Sequence, residues 1–288
     1  MNAIRITEVG PRDGLQNEPS IVPVAAKVAF VEALSAAGCT EIEVTSFVPA
    51  KWVPQLADGA EVLRSIRRDP GVRYSALVPN ERGLEAALSC GVDAVAVFAA
   101  ASEGFSRRNT NGSIDEVLAR IAPVIAAAKA AGIRVRGYLS CVIACPFDGP
   151  VAPSAVAQCS RRLLDLGIDE LDLGDTIGAA DPDAIEAMYE AVGGVVEPSA
   201  TILHLHDTRG AALACAERAL GLGVRAFDAS ATGLGGCPYA PGAPGNLATE
   251  SLVRRLHDLG FVTGIDADAV ARAGAAVRAG FVRRDQVG

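Results

Sequence analysis

Short β-branched, apolar segments alternate with longer Ala- and Leu-rich segments along all 288 residues. The strand candidates are "IRITEV" from Ile4, "EIEVTSF" from Glu41, "RYSALV" from Arg73 and "AVAVFAA" from Ala94. They continue with "RVRGYLS" from Arg134, "ELDLGDT" from Glu170, "TILHLHD" from Thr201 and "AFDASATG" from Ala226. Between them lie helical patterns such as "VAAKVAFVEALSAAG", "SIDEVLARIAPVIAAAKAAG" and "PSAVAQCSRRLLDLG". Gly38, Gly91, Gly132, Gly167 and Gly223 stand where such helices need a C-cap. The strands are too apolar for a sheet with one wet face, so the alternation predicts a parallel sheet covered by helices. Eight units at a spacing of roughly 30 to 40 residues predict a closed (β/α)8 TIM barrel, an α/β fold. No composition break divides the chain, so residues 1–288 read as one domain with a C-terminal helical extension. An open doubly wound sheet more often carries a glycine fingerprint after its first strand, and "GPRDGLQNE" is not one.

Charge narrows the function. The net −8, from 34 acidic and 26 basic residues, excludes a nucleic-acid surface, and no basic run offsets it. An anionic substrate then requires a local positive cluster or a metal. The opening "MNAIRITEVG" lacks the parts of a signal peptide, and no apolar run reaches the roughly 18 residues of a membrane span. Seven scattered cysteines suit a reducing compartment better than a disulfide framework. Together these predict a soluble cytoplasmic protein with no membrane and no nucleic-acid partner. "CVIAC" lacks both zinc spacing and a second cysteine pair.

In a barrel, chemistry gathers at the C-terminal strand ends. Those ends carry Glu8, Arg12 and Asp13; Glu43, Thr45 and Ser46; Arg136 and Cys141; Asp172 and Asp175; and His204, His206 and Asp207. The last strand leads into "GLGGCPYAPGAPGN", which ends at Asn246. His204 and His206, at i and i+2, share one strand face. Barrel closure places the last strand beside the first, so Asp13, His204, His206 and Asn246 converge. Two imidazoles, a carboxylate and an amide oxygen suit an octahedral divalent ion, Mg²⁺ or Mn²⁺, better than zinc. The alternative is a pair of satisfied core histidines. Arg12–Asp13 reads equally as a structural ion pair, and Glu43 either as structural or as a bidentate holder of Arg12. Cys237, flanked by glycines and proline, is poorly placed for buried packing. The glycine loop lacks the following Lys-Ser/Thr of a phosphate loop.

The stretches "EVGPRDGLQNE", "EVTSFVPAKWVPQ", "RGYLSC", "LGDTIG", "HLHDT" and "GLGGCPYAPGAPGNLATE" resemble, in order, motifs of the hydroxymethylglutaryl-CoA lyases, divalent-metal TIM-barrel lyases. The resemblance runs from about Glu8 past Glu250. It implies Asp13, His204, His206 and Asn246 as metal ligands, with Asp13 also catalytic. It implies Arg12 at the thioester oxygen, supported by Glu43, and Cys237 as a catalytic residue on the loop. The implied reaction is retro-Claisen cleavage of 3-hydroxy-3-methylglutaryl-CoA to acetyl-CoA and acetoacetate, as in leucine degradation, by a homodimer. Arg12, Ser46, Arg136, Asp172 and Arg209 are candidate substrate contacts, and Arg283-Arg284 offers charge for CoA phosphates or is a solvated helix end. Two positions depart from the family. Arg209 stands where Tyr is usual after "HxHDT", and Asp172 stands where Ser is common. The departures leave open a lyase for a related acyl-CoA such as citramalyl-CoA. A condensing synthase and a non-catalytic metal-binding barrel are the more distant readings.

Overall fold

The computed structural model describes residues 2–235 and 245–281. Eight parallel strands close into the expected barrel: β1 (Arg5–Glu8), β2 (Glu41–Ser46), β3 (Arg73–Leu77), β4 (Ala94–Ala100), β5 (Arg134–Ser140), β8 (Glu170–Asp175), β9 (Thr201–Leu205) and β10 (Ala226–Ala229). A two-stranded antiparallel ribbon, β6 (Ala144–Cys145) and β7 (Gly149–Pro150), follows β5. The helices are α1 (Val24–Ala36), α2 (Gly59–Ser65), α3 (Glu81–Ser89), α4 (Glu103–Thr110), α5 (Ile114–Ala130), α6 (Pro153–Asp165), α7 (Pro182–Val192), α8 (Ala212–Gly221), α9 (Thr249–Asp258) and α10 (Ala267–Ala279). None of them is long and apolar enough to cross a membrane.

The helix ends follow local chemistry. Ser113 caps α5 by accepting from Glu116 N at 3.2 Å, while the Glu116 carboxylate accepts from Ser113 N at 2.7 Å. Gly38 and Gly223, at φ of 90° and 104°, reverse the chain after α1 and α8 in a conformation a Cβ disfavours. α10 packs on α1 and α9, and its Arg278 Nε donates to Thr232 Oγ1 at 3.0 Å.

Closure sets what meets at the site. β10 pairs with β1 from Arg5–Ala226 to Glu8–Ala229, and β9 pairs with β10 through Asp228–His204. Two strand ends fall short of the sequence expectation. β9 stops at Leu205, and His206 instead forms an isolated bridge with Asn246. β10 stops at Ala229, after which Thr232, at φ 55°, turns the chain into a short 3₁₀ turn.

Within the strands the period of two separates chemistries. Ile42, Val44, Val95, Val135, Leu139, Leu171, Leu173, Leu203 and Phe227 join the apolar core between barrel and helices. Burying each such side chain contributes about 2 kcal/mol. The alternate positions face the lumen and are largely polar, so the barrel interior carries charge rather than a plug of branched aliphatics. Near the N-terminal end, the guanidinium of Arg136 lies within reach of Thr7 Oγ1 (2.7 Å), Asp228 Oδ1 (2.9 Å), Glu41 Oε2 (3.3 Å), Asp172 Oδ2 (3.5 Å) and Glu170 Oε2 (3.6 Å). Arg5, Arg73 and Arg134 pair with Glu41 and Glu170 around the rim of that end. Charges so removed from water persist because each has an opposite partner.

Candidate active site and metal centre

β1 ends at Glu8, and one π-helical turn, Gly10–Gly14, then carries Arg12 and Asp13 over the C-terminal mouth of the barrel. Glu8 anchors that turn. It is fully buried, and its Oε1 accepts from Gly10 N (2.8 Å) and Ala231 N (2.9 Å) while Oε2 accepts from Thr249 Oγ1 (2.7 Å). One carboxylate thus joins the Arg12–Asp13 turn, the exit of β10 and the start of α9. Burial without a cation pushes this carboxyl up to about 7, against the pull of its three donors.

Arg12 is buried and doubly held. Its Nε donates to Glu43 Oε2 at 2.5 Å and its Nη1 to Asp13 Oδ1 at 2.6 Å. The guanidinium lies 5.3 Å above the Tyr138 ring, a cation–π contact. The Nη2 donors carry no hydrogen bond to described residues and remain for a ligand. Glu43 meets Arg12 through Oε2 alone rather than as a bidentate holder, and its Oε1 is buried without a partner among the described residues. Burial raises its carboxyl, and Arg12 opposes the rise.

Asp13 is the hinge between Arg12 and the histidines. Its Oδ2 accepts from Asn246 Nδ2 at 2.8 Å and lies 4.0 Å from His206 Nε2. Asp13, His204 and His206 each present a ligand atom within 4.8 Å of the others. The imidazole centroids are 5.2 Å apart. Burial works to raise the Asp13 carboxyl, but Arg12 and the two histidines outweigh it and hold it at about 2. His206 is pushed down to about 4 by burial and by its neighbour His204, so near pH 7 it is a neutral imidazole with a lone pair. Asn246 donates through Nδ2 to Asp13 and to Leu234 O (3.0 Å), which leaves its Oδ1 buried with no partner. His206 turns Nε2 toward Asp13, and the backbone of Thr176 favours its protonated form. An orphaned amide oxygen beside an ionised carboxylate and a neutral imidazole is what an oxygen- and nitrogen-loving cation satisfies, so the residues fit a divalent ion.

Two side chains behind this group carry no signal as residue types. Asp228 Oδ2 lies 3.2 Å from His204 Nδ1, and the Tyr138 hydroxyl lies 3.3 Å from that same oxygen and 3.1 Å from Glu43 Oε2. Both sit in segments the sequence marks as strands. Their signal was the alternation itself, which puts Tyr138 on the face of Arg136 and Asp228 opposite His204 in register.

The remaining candidates are placed elsewhere. Arg136 and Asp172, candidate substrate contacts, lie in the lumen, where Arg136 pairs with Asp172 and Asp228 and Asp172 presents an oxygen within 4.8 Å of His204 and Asp228. The reason is position along the strand. Arg136 is opposite Glu170, the first residue of β8, and so sits at the closed end. Asp172 is wholly buried, and burial beside Asp228, with which it shares a hydrogen bond, raises its carboxyl well above the ordinary range. Ser46 is buried at the end of β2 and makes no hydrogen bond to the Arg12–His206 group among described residues. Arg209 is exposed on the Asp207–Gly210 turn, near Asp175. Cys237 and Arg283-Arg284 lie outside the described residues.

Comparison with known proteins agrees with this geometry. Residues 3–277 match the HMGL-like family. The hydroxymethylglutaryl-CoA lyase of Pseudomonas mevalonii is 52% identical over 100% of this chain and 96% of its own length. The crystal structure of the HMG-CoA lyase from Brucella melitensis superposes with a TM-score of 0.95 at 51% identity, covering 96% of this chain and 98% of that one. An HMG-CoA lyase from Acinetobacter baumannii, solved with coenzyme A and 3-methylmalate, superposes with a TM-score of 0.91 at 32% identity, covering 100% and 95%. The chain belongs to the HMGL-like family, among the hydroxymethylglutaryl-CoA lyases.

Proposed function

We propose that this chain cleaves 3-hydroxy-3-methylglutaryl-CoA to acetyl-CoA and acetoacetate, with a divalent cation, Mg²⁺ or Mn²⁺, held by Asp13, His204, His206 and Asn246. The observation that carries the reading is the convergence of Asp13, two imidazoles and the orphaned Asn246 Oδ1 beside an arginine with donors to spare. The named lyases at about half identity over their full length support the same reaction.

When bound, the cation lowers the acidity barrier of a substrate hydroxyl and orients oxygen donors. The rest falls to side chains. Glu43 and Asp13 grip Arg12 from two sides, so its Nη2 hydrogens are held in place for the thioester oxygen, where enolate charge grows as the carbon–carbon bond breaks. Asp13, ionised at every ordinary pH, and neutral His206 serve as ligands without first losing a proton. Asp13 takes the hydroxyl proton as the carbon–carbon bond breaks, and the enolate of acetyl-CoA takes one at carbon from Cys237, the proposed donor: an ordinary thiol near 8.5 is mostly protonated at pH 7. A cytoplasmic homodimer acting in leucine degradation completes the proposal. The A. baumannii relative, solved with coenzyme A, supports an acyl-CoA ligand.

The experiment is product analysis with a panel of hydroxyacyl-CoAs in Mg²⁺ or Mn²⁺. Hydroxymethylglutaryl-CoA should yield acetyl-CoA and acetoacetate, and chelation, Asp13→Asn or Cys237→Ala should abolish turnover. Full activity in a His204→Ala/His206→Ala variant refutes the metal centre. Cleavage of citramalyl-CoA in preference refutes the substrate and leaves the reaction class standing.

A further inference from the structure

We infer that Asp228 is a positioning residue for the metal centre, fixing the tautomer of His204 so that a lone pair rather than a proton faces Asp13 and His206. The inference rests on the proposed metal site but reads a property of the protein without metal.

His204 is buried, and its Nδ1 has one acceptor in reach, Asp228 Oδ2 at 3.2 Å. A carboxylate accepts only, so Nδ1 carries the hydrogen; Asp228 and Asp13 together favour protonation of the ring, and once it is neutral the lone pair stands at Nε2. Asp228 is itself wholly buried and cannot turn away. Its other oxygen accepts from Arg136 Nη1 at 2.9 Å, and the oxygen facing His204 also lies 3.3 Å from the Tyr138 hydroxyl. That hydroxyl reaches Glu43 Oε2 at 3.1 Å, and Glu43 holds Arg12. One buried carboxylate therefore links the metal-ligand side of the site to the arginine side. A ligating histidine whose far nitrogen donates to a carboxylate is a recurrent arrangement, and loss of that partner weakens metal binding about 10- to 100-fold.

The same surroundings dictate the outcome of Asp228→Asn. An amide has one oxygen, and Arg136, a donor only, claims it. The amide NH₂ must then face His204 Nδ1, which becomes the acceptor and moves the hydrogen to Nε2. Arg136 keeps Glu41, Glu170 and Asp172, so no unpaired buried cation threatens the fold.

The test is imidazole ¹⁵N spectroscopy of metal-free protein, simple with only three histidines in the chain, combined with Mg²⁺ and Mn²⁺ titration calorimetry. Followed with rising pH until the ring is neutral, wild-type His204 should be the Nδ1–H tautomer. Asp228→Asn should show Nε2–H, with metal Kd raised about 10- to 100-fold and an unchanged thermal transition. Tyr138→Phe, which spares the Asp228–His204 bond, should keep the wild-type tautomer and metal affinity while lowering kcat through Arg12. An Nδ1–H tautomer and wild-type Kd in Asp228→Asn would overturn the inference, as would a Kd shift in Tyr138→Phe equal to that of Asp228→Asn. Loss of activity in Asp228→Asn with tautomer and Kd both unchanged would also overturn it. A correct tautomer in wild type with no metal affinity at all refutes the metal centre instead.

Discussion

Glu8→Gln should abolish a specific slope in the dependence of stability on pH. Glu8 is fully buried with three donors and no cation, and its carboxyl is raised from 4.5 to about 7. Between those values the native state holds a proton that the unfolded chain has released. Stability therefore falls as pH rises through that window, and the Glu8 contribution is most favourable below it. At about 1.4 kcal/mol per pH unit, the loss between pH 4.5 and pH 8 is about 3 kcal/mol. Glutamine preserves the geometry: its oxygen accepts from Gly10 N and Ala231 N, and its NH₂ donates to Thr249 Oγ1. It does not titrate. Urea unfolding of wild type and Glu8→Gln at pH values from 4.5 to 8 gives two curves whose difference isolates this residue. The variant should gain on wild type by about 3 kcal/mol across the range. A difference constant to within about 1 kcal/mol would show that Glu8 ionises normally. A cation-free pocket would then be the wrong account of its surroundings.

Two further changes probe the mouth of the barrel. Arg12→Lys should lower kcat about 10²- to 10³-fold with little change in KM, because one ammonium cannot engage Glu43, Asp13 and a thioester oxygen together. Steady-state kinetics check it. Gly235→Ala should weaken Mg²⁺ or Mn²⁺ binding about tenfold or more by calorimetry: Gly235 has φ 105°, and an added Cβ would lie 2.7 Å from Asn246 Nδ2.

The fold was legible because its signal is repeated. The strands are short and carry apolar residues on the helix-facing side, most of the helices after them end at a glycine, and eight repetitions leave few other ways to bury the apolar faces. The errors fall where the repeat gives way to function. β9 ends one residue before His206 because the backbone there pairs with the Asn246 segment instead of a strand. β10 ends early because a left-handed Thr232 is dictated by the turn it must make, and threonine gives no local warning of that.

The site was legible to the depth of its outer residues. Asp13, His204, His206 and Asn246 could be joined from strand order alone, since closure makes the first, penultimate and last strands neighbours. The heights of Arg136 and Asp172 in the barrel were not legible, for the converse reason. Polarity on a barrel strand identifies the lumen, but height along the axis decides between substrate and scaffold, and height follows from register, which a single sequence does not state. The same ignorance of register hid Asp228. Its pairing opposite His204 is what turns an unremarked aspartate in "AFDASATG" into the acceptor that settles a histidine's tautomer. In this barrel the proposed ligands are visible as residue types, whereas the network around them exists only once the strands are set side by side. Tests of the second kind of residue must therefore read orientation, by tautomer or affinity, because an activity loss alone would not separate Asp228 from any other buried charge.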